Sequence, residues 1–70
     1  MKSKVINMAS PRERKDLAET IYKYRVAHKL SQEQLAHLIG VSVFSVCRWE
    51  KRRNYPSQTT LKLMKMLSIL

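Results

Sequence analysis

The chain is poor in the residue types on which most active sites and cross-linked folds depend. Its 70 residues include one glycine, one cysteine and two prolines, and five acidic residues stand against fourteen lysines and arginines. Cys47, being alone, can form no internal disulfide, which fits a reducing compartment. It has no neighbouring histidine in sequence, His28 and His37 fall on different predicted helices, and no carboxylate pair or metal-ligand spacing appears. No enzyme activity, metal or cofactor is therefore expected, and the two histidines read as a surface residue and a helix-edge residue. The apolar runs are a few residues long, far short of the ~20 needed to cross a bilayer. Residues 1–9 carry Lys2 and Lys4 but no apolar region long enough for a secretory signal, so the chain reads as intact and cytoplasmic. Repeats, low-complexity tracts and sustained strand alternation are also missing, which leaves an all-helical reading.

What the chain has in abundance is positive charge. A formal net charge of +9 on one small domain creates a positive field over much of its surface. The partners this suits are polyanions: nucleic acid, an anionic membrane surface or an acidic protein. A domain of this size buries only roughly 60% of the surface its unfolded chain exposes, so its core is thin and a deep cleft is not expected.

Helix signals punctuate the chain. Residues 1–9 lack sustained periodicity and are predicted to form a mobile basic arm ahead of a folded domain at 10–70. Ser10, Pro11 and Glu13 supply an N-cap, a first-turn proline and a capping-box partner. Helix 1 is expected to start there and run to about Lys29, with Leu17, Ile21, Tyr24 and His28 on one stripe. Ser31 and Gln34 form the equivalent pair for a second helix over residues 32–39. Gly40 ends that helix, because a residue without Cβ adopts positive φ at little cost. Ser42 caps a third helix over residues 43–51, with Val46, Trp49 and Glu50 facing inward. Asn54-Tyr55-Pro56-Ser57 is turn chemistry that leads to a fourth helix over residues 58–70. The two helices around Gly40 have the grammar of a helix-turn-helix over residues 32–51. Its expected buried positions, Leu35, Ile39, Val41, Val46 and Trp49, are all apolar, and Ala36 is small where the two helices cross closely.

The run Leu30-Ser31-Gln32-Glu33-Gln34-Leu35-Ala36, followed by Ile39-Gly40-Val41-Ser42, Trp49-Glu50 and Pro56-Ser57, resembles the Cro/C1-type (XRE) helix-turn-helix family over roughly residues 17–67. The resemblance implies an all-α, compact four-helix bundle of the lambda-repressor-like type. It also implies a DNA-binding regulator, often dimeric, of a family that includes repressors and antitoxins. By the same resemblance, Arg25 in helix 1 pairs with Glu50 at the end of helix 3, and Gln32 contacts a phosphate. The sequence departs from the family at Lys29 and Arg52, where glycine is common. A left-handed residue other than glycine costs roughly 1 kcal/mol. A third helix that ran on through Arg52 would instead carry its cations further along a phosphate backbone.

On that footing, helix 3 enters the major groove of double-stranded DNA while helix 2 lies across the backbone. With Val46 and Trp49 inward, Val43, Phe44, Cys47 and Arg48 point outward as base-reading candidates. Arg48 suits guanine N7 and O6; the competing reading is a phosphate-bound or solvated arginine. Val43 and Phe44 stand where the family commonly has polar readers, and apolar side chains there suit thymine methyls. The competing reading for Phe44 is packing against helix 2 or the arm. Phosphate-binding candidates are Gln32 at the amino end of helix 2, Ser42, Ser45, and the cluster Lys51, Arg52, Arg53 and Asn54. Lys2, Lys4, Arg12, Arg14 and Lys15 form a second basic zone, which either follows the backbone or minor groove or stays disordered.

Leu61, Met64 and Leu67 of helix 4 can complete the core. Leu63, Met66, Ile69 and Leu70 then form a second apolar edge, expected to be a dimer interface. A twofold homodimer through helix 4 would set two recognition helices about 34 Å apart and match a palindromic operator. The competing occupant of that edge is another protein, such as the toxin partner of an antitoxin. Two other classes compete with a regulator: a membrane-surface binder, against which the turn at Gly40 argues, and a helical adaptor without specific DNA binding.

Overall fold

The computed structural model of the chain describes residues 9–70; the arm expected at 1–9, apart from Ala9, lies outside the described residues. Four helices follow in order: α1 (Pro11–Ala27), α2 (Gln32–Ile39), α3 (Val43–Glu50) and α4 (Gln58–Met66), with no strand among the described residues. All four begin on a serine. Ser10 Oγ accepts from the Glu13 amide at 3.1 Å while the Glu13 carboxylate accepts from the Ser10 amide at 2.9 Å. Ser31 and Gln34 make the same reciprocal pair at 3.0 and 2.8 Å. Ser42 and Ser57 accept from the amides of Ser45 and Thr60, each at 3.2 Å. These bonds satisfy donors that a helix start leaves without intrahelical partners.

All four helices also end alike. Lys29 (φ 56°), Gly40 (φ 90°), Arg52 (φ 64°) and Ser68 (φ 63°) are left-handed. The amides of the residues after them, Leu30, Val41, Arg53 and Ile69, donate to the carbonyls of Arg25, Ala36, Arg48 and Met64 at 2.8, 3.0, 2.9 and 2.9 Å. This is the six-to-one closure of the Schellman motif, and glycine serves it at one position of four. The closures correct three predicted ends. Helix α1 stops at Ala27 rather than Lys29, α3 stops at Glu50 rather than Lys51, and α4 stops at Met66 rather than residue 70.

The core consists of Leu17, Ile21, Leu35, Ala36, Ile39, Val46, Trp49, Met64 and Ile69, with Tyr24, Leu30, Val41, Val43, Tyr55, Leu61, Leu63 and Leu67 packed around it. Ile69 enters because the left-handed Ser68 turns the chain back after α4. The side chain two residues beyond the helix then lies against Met64 and its neighbours, as the closure favours. Ile69 is 5% exposed. The expected interface edge is thereby corrected: Ile69 is core and Leu63 is half-buried against it, leaving Met66 (81% exposed) and Leu70 (40%) outside. Helix α3 packs on both α1 and α2, and α4 packs on α2. With Val46 and Trp49 held from two sides, the outer face of α3 is fixed in direction.

Candidate nucleic-acid interface

The turn that aims α3 is built around Gly40. A Cβ added there would meet nothing within 4 Å, so the requirement for glycine comes from its φ of 90° and not from crowding. Two residues later, Ser42 starts α3, and its hydroxyl lies 3.2 Å from that of Ser45. Ser42 is exposed and Ser45 half-buried.

Along α3, Val46 is fully buried and Trp49 nearly so, while Phe44 is 68% exposed and Arg48 is exposed on the other side. Phe44 is therefore left mostly to solvent and is not part of the core packing. Val43 and Cys47 are half-buried, and Val43 packs against the core. Of the four predicted base readers, the structure thus presents Phe44 and Arg48 fully and Val43 and Cys47 at the margins.

Beneath this face lies a polar lock. Arg25 donates from Nε to Glu50 Oε2 at 2.7 Å and from Nη2 to Oε1 at 3.0 Å, and its Nη1 donates to the Leu30 carbonyl at 3.1 Å. The arrangement joins the end of α1, the turn into α2 and the end of α3. The hydrogen bond to Glu50 raises the guanidinium pKa above its ordinary value; burial opposes the shift and the charge of Glu50 adds to it. The Tyr22 ring lies 5.4 Å from the guanidinium carbon. Gln32, predicted as a phosphate ligand, donates from Nε2 to Glu50 Oε1 at 3.0 Å. Its amide carbonyl and the backbone N–H groups of Gln32 and Glu33 remain for other partners.

Lys51, Arg52, Arg53 and Asn54 follow α3 as an exposed run. The left-handed Arg52 bends that run, so the alternative of a longer α3 carrying its cations along a phosphate backbone does not apply. The Arg52 carbonyl accepts from Arg14 Nε at 3.1 Å, and Arg14 Nη1 also donates to the Ala9 carbonyl. By sequence Arg14 is one of the charges of the second basic zone; a contact across 38 positions leaves no local signal. Lys2 and Lys4 of that zone lie outside the described residues.

His28 stacks on Tyr24 with ring centroids 4.0 Å apart, its Nδ1 lies 2.9 Å from the Tyr24 carbonyl, and both it and His37 are exposed. Among the described residues no group of His, Cys, Asp and Glu is placed to hold a metal ion, and no helix is long and apolar enough to cross a membrane.

A helix-turn-helix family profile matches residues 21–64, more than half of the chain, taking in α2, Gly40, α3 and most of α4. No curated protein and no solved structure gives a match. The matched span and the four-helix, strandless architecture agree: the chain belongs to the Cro/C1-type helix-turn-helix family of DNA-binding proteins, typically transcription regulators.

Proposed function

We propose that the protein is a sequence-specific regulator of repressor type, in a bacterial, plasmid or phage setting, acting in the cytoplasm and reading the major groove of double-stranded DNA with α3. The observation that carries this reading is the outer face of α3, where a 68% exposed phenylalanine sits one helical turn from an exposed arginine. A large aromatic left in water contributes little to folding and is free to be covered by a partner. Phe44 suits thymine methyl groups and Arg48 suits guanine, so a mixed T- and G-containing half-site is the expected target. The first turn of α2, Ser42, Ser45 and the run Lys51 to Asn54 supply backbone contacts that set the register without reading sequence.

The homodimer reading now rests on Met66 and Leu70 at the end of α4, and a palindromic operator goes with it. Selection of bound duplexes from a random pool tests the whole reading. A recovered motif with twofold symmetry supports it. Binding without sequence preference, with Arg48→Ala giving only a small uniform loss, would favour an adaptor that keeps the fold alone.

A further inference from the structure

We propose that the cleft where the first turns of α1 meet the turn after α3 is a second phosphate-binding surface, gripping DNA backbone that flanks the site read by α3. This inference rests on the DNA-binding reading. Pro11, Arg12, Arg14, Lys15, Asp16 and Arg52 line the cleft. Its α1 residues precede the span that the family profile matches.

Arg14 holds the cleft together. Its guanidinium bridges the carbonyls of Ala9 and Arg52, which fixes the start of α1 against the turn following α3. Arg12, Lys15 and Arg52 are exposed around that bridge. Among the described residues the ion pair is Arg25–Glu50, so these three cations have no carboxylate in salt-bridge contact. Glu13, the nearest acidic residue on the first turn, is folded back on the Ser10 amide at 2.9 Å. Asp16 is the one carboxylate in the lining, against four cations.

The partner is identified by continuity. Arg52 belongs both to this cleft and to the basic run Lys51 to Arg53 at the end of α3, so a polyanion bound along that run reaches the cleft without leaving positive surface. A regular line of phosphodiesters supplies such a partner. Neutralising phosphates releases counterions, which makes the contribution readable as a salt slope of about 0.9 per phosphate.

The test compares the full chain with its Arg12→Gln/Lys15→Gln variant on the selected site, in a duplex carrying about one helical turn of flanking DNA and in a duplex trimmed to the site. Both side chains are exposed, so the melting temperature should be unchanged, and this is measured alongside. On the longer duplex, the slope of log affinity against log salt should fall by about 1 to 2. Affinity at physiological salt should fall roughly 10- to 30-fold, by the same factor for preferred and mismatched sites. On the trimmed duplex the two proteins should differ little. An unchanged slope, or equal losses on both duplexes, would overturn the inference. So would a variant that keeps its DNA slope but loses binding to vesicles containing phosphatidylglycerol, because the surface would then face a membrane. If the unaltered chain itself binds neither duplex, it is the DNA-binding reading that fails.

Discussion

Arg25 and Glu50 face each other as a fork on a fork: Nε and Nη2 of one donate to the two carboxylate oxygens of the other at 2.7 and 3.0 Å. Their side chains are 17% and 10% exposed, so neither is fully solvated and each depends on the other for compensation. Such pairs fix orientation more reliably than they add net stability, but removing one partner leaves the other charge unpaired.

Glu50→Ala should therefore be markedly destabilising, by about 2–4 kcal/mol, since it strands Arg25 and frees the Gln32 amide together. In a domain of this size that is a fall in melting temperature of at least about 10 °C, read by circular dichroism. Arg25→Lys in the otherwise unaltered chain should also destabilise, because an ammonium cannot make the two-pronged contact with Glu50. The sign of the pH dependence follows from the raised Arg25 pKa. A raised folded-state value gives stability that is fully present below the unfolded value and is lost as pH climbs through the folded one. The gap in melting temperature between the unaltered chain and Arg25→Ala should hence stay constant from about pH 7 to about pH 10. A gap that closes within that range would refute the assignment.

The four helix ends give a second prediction. Lys29, Arg52 and Ser68 hold left-handed φ values with a Cβ attached, at a cost of roughly 1 kcal/mol each. Lys29→Gly and Ser68→Gly should each stabilise by about 0.5–1 kcal/mol, the gain being reduced by glycine's greater freedom in the unfolded chain. Gly40→Ala should cost about 1–2 kcal/mol although its Cβ would meet no atom, and Gly40→Asn should cost less because asparagine tolerates this region. Urea denaturation of the four variants checks the order; a destabilised Lys29→Gly would show that the closure after α1 is held by the lysine side chain.

These helix ends also mark where the sequence became hard to read. The starts were legible because Ser10, Ser31, Ser42 and Ser57 each precede a polar residue three positions on, a local pattern with a local cause. Three of the stops were harder to read: the family resemblance marked Lys29 and Arg52 as sites where glycine is common, but lysine, arginine and serine themselves carry no mark of positive φ, and tertiary packing selects that conformation. Ile69 was misplaced for the same reason. Apolar spacing continues through residue 70, and only the reversal at Ser68 sends Ile69 inward. At the candidate interface, Arg25 with Glu50 was expected through the family resemblance, whereas Arg14 with Arg52 was not, because Arg14 lies outside the matched span and the contact depends on the path of the turn at Arg52.

A third prediction separates reading from folding on α3. Phe44→Ala should leave the melting temperature within about 2–4 °C of the unaltered chain, because a side chain 68% exposed contributes little burial. It should nonetheless weaken binding to the selected site and relax the preference at one position. Val43→Ala should do the reverse in part, lowering stability by about 1 kcal/mol, because Val43 packs against the core. Arg48→Ala should cost about 1–3 kcal/mol at a guanine position; a uniform loss across all sequences would move Arg48 to the phosphates.

The end of α4 supplies the last prediction, and it rests on the contrast between Met66 and Ile69. Ile69→Ala should cost about 2–4 kcal/mol, because it opens a cavity beside Met64 in the thin core. Met66→Glu should leave the stability of the isolated chain nearly unchanged, since an 81% exposed side chain gives up almost no burial. If Met66 and Leu70 form the centre of a twofold contact, sedimentation at tens of micromolar should show a dimer for the unaltered chain and a monomer for Met66→Glu. Binding of the variant to a two-half-site duplex should then weaken far more than its binding to a single half-site. A chain that is strictly monomeric, with equal effects of Met66→Glu on one and two half-sites, would remove α4 from the interface and leave α3 to act in a single copy.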